Sequence, residues 1–498
     1  MDRAPRTTTL ALLGAAAVGA AVVWRRRGAT TAGAGPVTGQ TSLARSAKLG
    51  AVGARSAGRY AAHRARRTFA DAARREALDT EFQLRTAEDV AAALGDMKGA
   101  LMKVGQMASY LDQGLPEPVR DALAQLRSDA PPMAPELAAR VIREELGAEP
   151  DALFAEWDPV PIASASIGQV HRALTHDGRA VAVKVQYPGV AAAIRSDLAS
   201  AGLLFSGLGT AFPGLEPGPI VEELKARLTE ELDYALEARN QAAFASAYRG
   251  HPFIRVPDVV TELSTARVLT TELAAGVPFE TVVAGDQADR DRAGEILYRF
   301  VFRSLYRLRA FNGDPHPGNY LFGADGTVTF LDFGLVKRFD GDELGVFSDM
   351  VEAMSADRDP TRFRAIVERV GLLAPGHPAT DAEVIDYFGH FYEMVDQRGR
   401  FTFTPEYASE SIRRIFDQSG PYADLQRAAN LPPSFVIIQR INLGLYAILG
   451  ELRATGDWRA VAEELWPFVD APPQTELGEQ EAAWIKQREA DGDPTPLA

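Results

Sequence analysis

Asp314, Asn319 and Asp332 stand five and then thirteen positions apart in the run DPHPGNYLFGADGTVTFLDFG. Magnesium bridging two phosphates takes hard oxygen ligands, which a carboxylate and an amide carbonyl supply, while a further carboxylate orients the attacking group or accepts its proton. The spacing therefore assigns Asn319 and Asp332 to the metal and Asp314 to the nucleophile, on the pattern Asp-x4-Asn followed by hydrophobic-Asp-Phe-Gly. The Gly-containing turn Ala324-Asp325-Gly326 predicts a strand hairpin between the two halves. His316 reads as a turn residue of the same loop rather than as a ligand.

A site of this kind needs a nucleotide half upstream. Residues 163–170 read ASASIGQV, which overlays the kinase pattern G-x-G-x-x-G-x-V with Ala163 and Ala165 in place of the first two glycines. Ser166, Gly168 and Val170 complete the segment, and Gly168 alone keeps the pattern's glycine. A Cβ at 163 and 165 restricts positive φ and holds backbone amides farther from phosphates, so the loop is expected to grip a triphosphate less closely than a glycine loop. Fourteen residues after Val170 comes Lys184, in an alternating Val-Ala-Val-Lys strand that would present it to phosphates.

Such a lysine needs a carboxylate partner on a helix. A helical pattern from about Pro219 to Tyr248 offers both Glu231 and Glu237, in the run Glu231-Leu-Asp233-Tyr-Ala-Leu-Glu237-Ala-Arg-Asn240. Farther upstream, Lys103 and Gln106 are three residues apart and share a helix face. By spacing alone Lys103 is a solvated lysine on an amphipathic helix.

These segments together resemble the ABC1/UbiB (AarF, COQ8/ADCK) family of atypical kinase-like proteins, over residues from about 90 to about 450. The resemblance rests on Lys103-x-Gly-Gln106, the Ala-rich loop ending Ile-Gly-Gln-Val, Val-Ala-Val-Lys184, Glu231-x-Asp233-Tyr-x-x-Glu237-Ala-x-Asn240, Asp314-Pro-His-Pro-Gly-Asn319 and Asp332-Phe-Gly. It implies that Lys103 lies over the nucleotide pocket and restrains kinase activity, in place of the solvated reading. It also implies ATP and magnesium as cofactors, and ATPase activity coupled to prenyl-lipid or quinone biosynthesis on membranes. The implied partners are ATP/ADP, anionic or isoprenoid lipids and quinone-biosynthesis enzymes. Small-molecule kinases share the Asp-x4-Asn turn, and Lys103-x-Gly-Gln106 separates the two readings. A small-molecule or protein kinase, or a nucleotide-gated scaffold with little turnover, are the alternatives. After Asp332-Phe-Gly the chain passes through Leu335 to Asp340 into a helical run with no Ala-Pro-Glu, which leaves little room for a peptide platform. The intact Asp314, Asn319 and Asp332 argue against an inert scaffold.

Composition sets the outer bounds. A chain of 498 residues is long enough for more than one core, and its 46% hydrophobic content is ordinary for a globular enzyme. The absence of cysteine excludes disulfides, thiol catalysis and Cys-ligated metals, and seven scattered histidines form no ligand cluster. Residues 1–75 carry fourteen Arg or Lys against Asp2 and Asp71, a net of +12; the total of −14 then leaves −26 for the remainder. An acidic body of this kind is unsuited to nucleic acid, whereas the basic arm suits anionic lipid.

Thr7 to Trp24 is uncharged and reads as a single-pass anchor, with Arg25-Arg26-Arg27 placing the body on the cytoplasmic face of the cell membrane; a cleaved signal peptide is the rival. The expected organisation is an anchor over 1–27, a flexible tether and basic helical segment over 28–87, a helical extension with the Lys103 motif over 88–150, a kinase-like N-lobe over 151–275, a C-lobe over 276–470, and a polar tail over 471–498. Alternating runs mark strands at Gly168–Leu174, Ala180–Gln186 and Ala266–Leu273, with Glu272 and Ala274 at the interlobe hinge where backbone groups would meet adenine. Phe435 to Leu452 reads as a buried core helix. The fold class expected is α+β, a two-lobe protein-kinase-like fold with an N-terminal helical extension and an enlarged helical C-terminal lobe.

Overall fold

A computed structural model describes residues 134–165, 167–191, 232–313, 315–396, 398–416, 422–430 and 433–492. The chain divides into two units. One comprises Met1–Gln106, Glu117–Ala138 and Tyr187–Leu228, nearly all outside the described residues; the other comprises Met107–Pro116, Ala139–Gln186 and Thr229–Ala498. Everything below concerns the second unit, which has an α+β two-lobe kinase-like fold.

Strands β1 (Glu156–Ala165), β2 (Gly168–Leu174), β3 (Ala180–Gln186) and β5 (Val268–Glu272) form an antiparallel sheet in the order β1-β2-β3-β5. Period-two alternation sets the faces: Val181, Val183 and Val185 are buried on one side of β3, and Lys184 falls on the other with Ala182. On the edge strand β1, Pro159 and Pro161 cost no ladder bonds that a central strand would need, and the register shifts on both sides of Pro161.

Of the helical run expected from about Pro219 to Tyr248, the part up to Glu231 lies outside the described residues; in the rest, helix α1 spans Tyr234–Ala247. The Asp233 carboxylate accepts the backbone N–H groups of Ala235 and Leu236 at 3.0 and 3.1 Å, so the helix starts at Tyr234 rather than running through. Its buried face carries Glu237, Asn240, Gln241 and Phe244, a helical stripe made largely of polar groups.

The C-terminal lobe is built around α2 (Gln287–Leu308), capped by Asp286. A short parallel strand β4 (Ile254–Arg255) joins the antiparallel hairpin of β7 (Tyr320–Phe322) and β8 (Val328–Phe330). Strand β6 (Ala310–Asn312) pairs with β9 (Val336–Arg338), and the chain then enters α3 (Gly341–Val351) through a capping box between Asp340 and Glu343. Helices α4 (Pro360–Arg369), α5 (Asp381–Phe388), α6 (Pro405–Phe416), α7 (Pro433–Leu452) and α8 (Trp458–Leu465) enlarge the lobe. Phe300 of α2 stacks on Phe330 of β8 at 3.7 Å, and Phe244 of α1 meets Phe300 and Phe333 at 5.9 and 4.9 Å, so one aromatic core joins the two lobes. Helix α7 is the core helix read from the sequence, with Ile441, Leu445, Tyr446, Leu449 and Leu452 buried.

The expected polar tail is instead helix α9 (Glu476–Ala490) over most of its length. Leu477, Glu481, Trp484 and Arg488 repeat at helical spacing and are all buried. Two of the four members are charged, so the stripe does not show in the hydrophobic pattern. Glu481 is 1% exposed and meets Arg299 Nη1 at 3.0 Å, Arg303 Nε at 2.5 Å and His251 Nε2 at 3.2 Å, while Arg299 also binds Glu295 and Glu464 at 2.8 Å each. Burial alone would raise the Glu481 carboxyl, but Arg303, His251 and Arg299 pull it far below the usual carboxylate range. Burial pushes the His251 imidazole down, against the pull of Glu481, and its Nδ1 accepts the Ile254 backbone N–H at 3.2 Å, which fixes the neutral tautomer.

Removing one member of such a cluster strands its partners. Glu481→Ala is expected to cost about 3–5 kcal/mol in urea unfolding, because Arg299 and Arg303 lose their shared carboxylate inside the protein. Both folded-state shifts are downward, so their stabilising contribution is complete above the ordinary histidine pKa of about 6.5 and falls with pH, first through that range and then through the carboxylate range. Thermal melts of wild type and Glu481→Gln across this interval measure it: in the carboxylate range the variant loses less on acidification, while in the histidine range it loses at least as much, because His251 then faces Arg299 and Arg303 without the carboxylate.

Candidate active site

Lys184 Nζ lies 2.9 Å from both Oε1 and Oε2 of Glu237 and 3.7 Å from Asp332 Oδ2. The lysine side chain is 17% exposed and the glutamate's 5%. Burial alone would push the Lys184 ammonium down; the Asp332 and Glu237 carboxylates outweigh it and hold the pKa well above the ordinary lysine value. Tyr234 adds its ring face at 4.9 Å. The result is a fixed positive charge at the mouth of the sheet, paired on two sides by carboxylates. Of the two glutamates considered, Glu237 is the one beside Lys184; Glu231 lies outside the described residues.

Asp332 sits at φ 57°, the left-handed region that costs most side chains and that Asp tolerates better than most. Three bonds hold it there. Asn312 Nδ2 donates to its carbonyl at 2.8 Å, the Gly334 N–H donates to Oδ1 at 3.0 Å, and Asn240 Nδ2 of α1 donates to the next carbonyl, that of Phe333, at 3.2 Å. The helix that carries Glu237 therefore also holds the Asp-Phe-Gly backbone. Asn319 is coupled to the same segment, since its carbonyl accepts the Leu331 N–H at 2.8 Å.

The loop between β6 and β7 is tied on both sides of Asp314, which itself lies outside the described residues. Gly313 N–H donates to the Leu335 carbonyl at 2.7 Å. His316 Nδ1 accepts the Gly318 N–H at 3.1 Å, the turn role read from the sequence. Pro315 packs on α7 at Gly444, where a Cβ would come within 2.3 Å of Pro315 Cγ. Only glycine leaves room for the loop.

Ala163 and Ala165 belong to β1, not to an open loop: they pair with Val170 and Gly168. Ser166 is outside the described residues. Val170 lies opposite Lys184 across β2 and β3. Gly168 has a packing reason of its own, because a Cβ there would stand 2.3 Å from the Val185 carbonyl oxygen and 2.9 Å from the Tyr234 hydroxyl. At the end of β5 the Leu273 N–H still donates to the Ala180 carbonyl at 3.0 Å, and the exposed Glu272 accepts the Asp258 N–H at 3.2 Å. Ala274 follows, and Val277 then exchanges two backbone bonds of 2.9 Å with Phe322 of the β7–β8 hairpin. Lys103 and Gln106 lie outside the described residues. Sequence reasoning left out Asn312, Tyr234 and Phe244 from the site and gave Asn240 no task; Asn312-Gly313 directly before Asp314 was the signal for the first.

Asn319 and Asp332 offer one amide oxygen and one carboxylate, a donor set suited to magnesium when nucleotide phosphates supply further oxygens. Among the described residues no cluster of three His, Asp or Glu could hold a metal by itself.

A lysine paired to a helix carboxylate beside the aspartate of Asp-Phe-Gly, under a small antiparallel sheet, defines a kinase-like protein. Residues 125–365 match the ABC1 atypical kinase-like domain, and the chain belongs to that family. It is 36% identical to the rat atypical kinase COQ8B, mitochondrial, over 55% of this chain and 52% of the relative. It is 28% identical to atypical kinase coq-8, mitochondrial, of Caenorhabditis elegans over 74% and 49% respectively. The chain spans about half the length of the curated relatives it matches. Among solved structures, a Mycobacterium tuberculosis protein, Rv3197, in complex with erythromycin is 32% identical with a TM-score of 0.59, over 80% of this chain and all of that one.

The expected single-pass protein on the cytoplasmic face of the cell membrane is corrected. The relatives whose names state a location are mitochondrial or, in Arabidopsis thaliana, chloroplastic. Among the described residues no helix is long and apolar enough to cross a membrane, and Thr7 to Trp24 lies outside them.

Gly444→Ala tests how tightly the loop is set. The added methyl must displace Pro315, and a misplacement near 1 Å costs on the order of 100-fold in rate, against about 1–3 kcal/mol of stability. For the ATP turnover proposed below, the expected outcome is a folded protein with near-normal nucleotide affinity and at least roughly tenfold slower hydrolysis.

Proposed function

We propose that this chain is an ATP-dependent atypical kinase or ATPase that serves prenyl-lipid or quinone biosynthesis, with ATP and Mg2+ as cofactors. The observation that carries the reading is the Lys184–Glu237 pair at 2.9 Å with Asp332 at 3.7 Å from the same ammonium. In this reading Lys184 positions phosphates, Glu237 positions Lys184, Asn319 and Asp332 hold the metal, and Asp314 orients or deprotonates water or an acceptor hydroxyl. Bound magnesium would neutralise charge on the phosphates. Val170 and the β1–β2 hairpin cover the nucleotide, with the backbone of Glu272 and Ala274 toward the base. Lys103 and Gln106 are assigned to nucleotide binding on the family resemblance alone, and lipid and quinone-biosynthesis partners follow from the same resemblance.

The direct passage from β9 through Asp340 into α3 supports a small or lipid acceptor, or water, over a peptide. A protein substrate would need a docking stretch between Gly334 and that helix, and β9 together with the capping box occupies those residues.

Asp332→Asn is the direct test. The change removes a charged metal ligand while keeping the shape of the side chain, so magnesium-dependent phosphate release should fall about 100-fold or more with an unchanged circular dichroism spectrum. Release at the wild-type rate would show that the metal assignment is wrong.

A further inference from the structure

Helix α1 carries Glu237 in its first turn and has no basic residue in its last turn to meet the carbonyls left without intrahelical donors. Side chains of α9 meet that end instead. Arg488 Nη1 donates to the Ala247 carbonyl at 2.7 Å, and Trp484 Nε1 donates to the Arg249 carbonyl at 3.2 Å. Arg488 is 8% exposed, and its guanidinium lies 5.2 Å from the centre of the Trp484 ring. A cation at the negative end of a helix dipole, in partial burial, is a favourable placement.

Two further ties make this end rigid. Trp484 packs edge-on against His251 at 4.5 Å, and His251 meets Glu481, which Arg299 and Arg303 anchor to α2. The Tyr248 hydroxyl, one residue past α1, lies 2.7 Å from the Ser304 hydroxyl of α2. A helix moves as a rod, and Ala247 is ten residues, about 15 Å, from Glu237. A shift at the anchored end is therefore transmitted to the carboxylate that holds Lys184.

We propose that α9 is a strap that sets the position of Glu237, with Arg488 and Trp484 as positioning residues for the Lys184–Glu237 pair. The proposal rests on the reading of that pair as part of the nucleotide site. It assigns the C-terminal helix a part in phosphoryl transfer without contact with the reacting groups.

The experiment compares full-length wild type with Arg488→Ala, Arg488→Lys, Trp484→Phe, Glu237→Gln, Lys184→Ala and the Arg488→Ala/Glu237→Gln double variant. Readouts are kcat and KM for magnesium-dependent ATP hydrolysis, and amide hydrogen exchange over residues 234–241. Arg488→Ala is expected to lower kcat about tenfold and to speed exchange at the Glu237 end of α1, with Arg488→Lys recovering most of both. In the Glu237→Gln background the same change should have little further effect on kcat, because a positioning residue acts through the group it positions. Trp484→Phe keeps a ring in place and deletes only the N–H, so it supplies the comparison if Arg488→Ala does not fold. Wild-type kcat and exchange in the strap variants, or full additivity with Glu237→Gln, would overturn the strap. Unaltered hydrolysis in Lys184→Ala would instead overturn the nucleotide-site reading, and the exchange data would still judge the strap.

Discussion

A lysine ammonium shared between Glu237 and Asp332 is the constraint on which the rest of this structure turns. The three residues come from a strand, a helix and a loop that are far apart in sequence, and nothing but tertiary packing brings them together. A buried charge left without a partner costs several kcal/mol, so each of the three elements is committed to the position of the other two. Asn240 and Phe244 extend the same commitment along α1, one to the Phe333 carbonyl and one to the Phe333 ring. The polar centre and the aromatic core are thus held by one face of one helix.

The sequence made the chemistry legible better than its support. Strands β2 and β3 fall on the residues that alternation marks, because one face of each is buried and the period of two is not masked by other demands. Spacing likewise marked the hairpin between Asn319 and Asp332. The choice between Glu231 and Glu237 was not legible, since a carboxylate-rich stretch has no internal clue to where its helix begins; the Asp233 cap supplies that clue only in three dimensions. Helix α9 was hidden for a related reason. Its buried stripe includes Glu481 and Arg488, whose partners Arg299, Arg303 and the Ala247 carbonyl lie elsewhere in the chain, so its composition resembles a solvated tail.

Glycine illustrates the same limit. Gly168 looks like the remnant of a phosphate-binding loop, yet the space it leaves is taken up by the Val185 carbonyl and the Tyr234 hydroxyl. Gly444 carries no motif at all, and its reason is Pro315, on a different segment of the lobe. In both cases local sequence shows a small residue, and only the fold shows what approaches it.

The passage from Gly334 into α3 has a consequence for control. With residues 335–340 consumed by β9 and the Asp340–Glu343 capping box, the stretch between Gly334 and α3 has no slack whose ordering could gate the site after covalent modification. On the proposed function, control through this stretch falls to occupancy: the concentrations of nucleotide and acceptor set how far the site is filled, through ordinary mass action. Such an arrangement responds in a graded way, as a rheostat does, and returns to rest when the ligand is gone, with no chemical mark to erase.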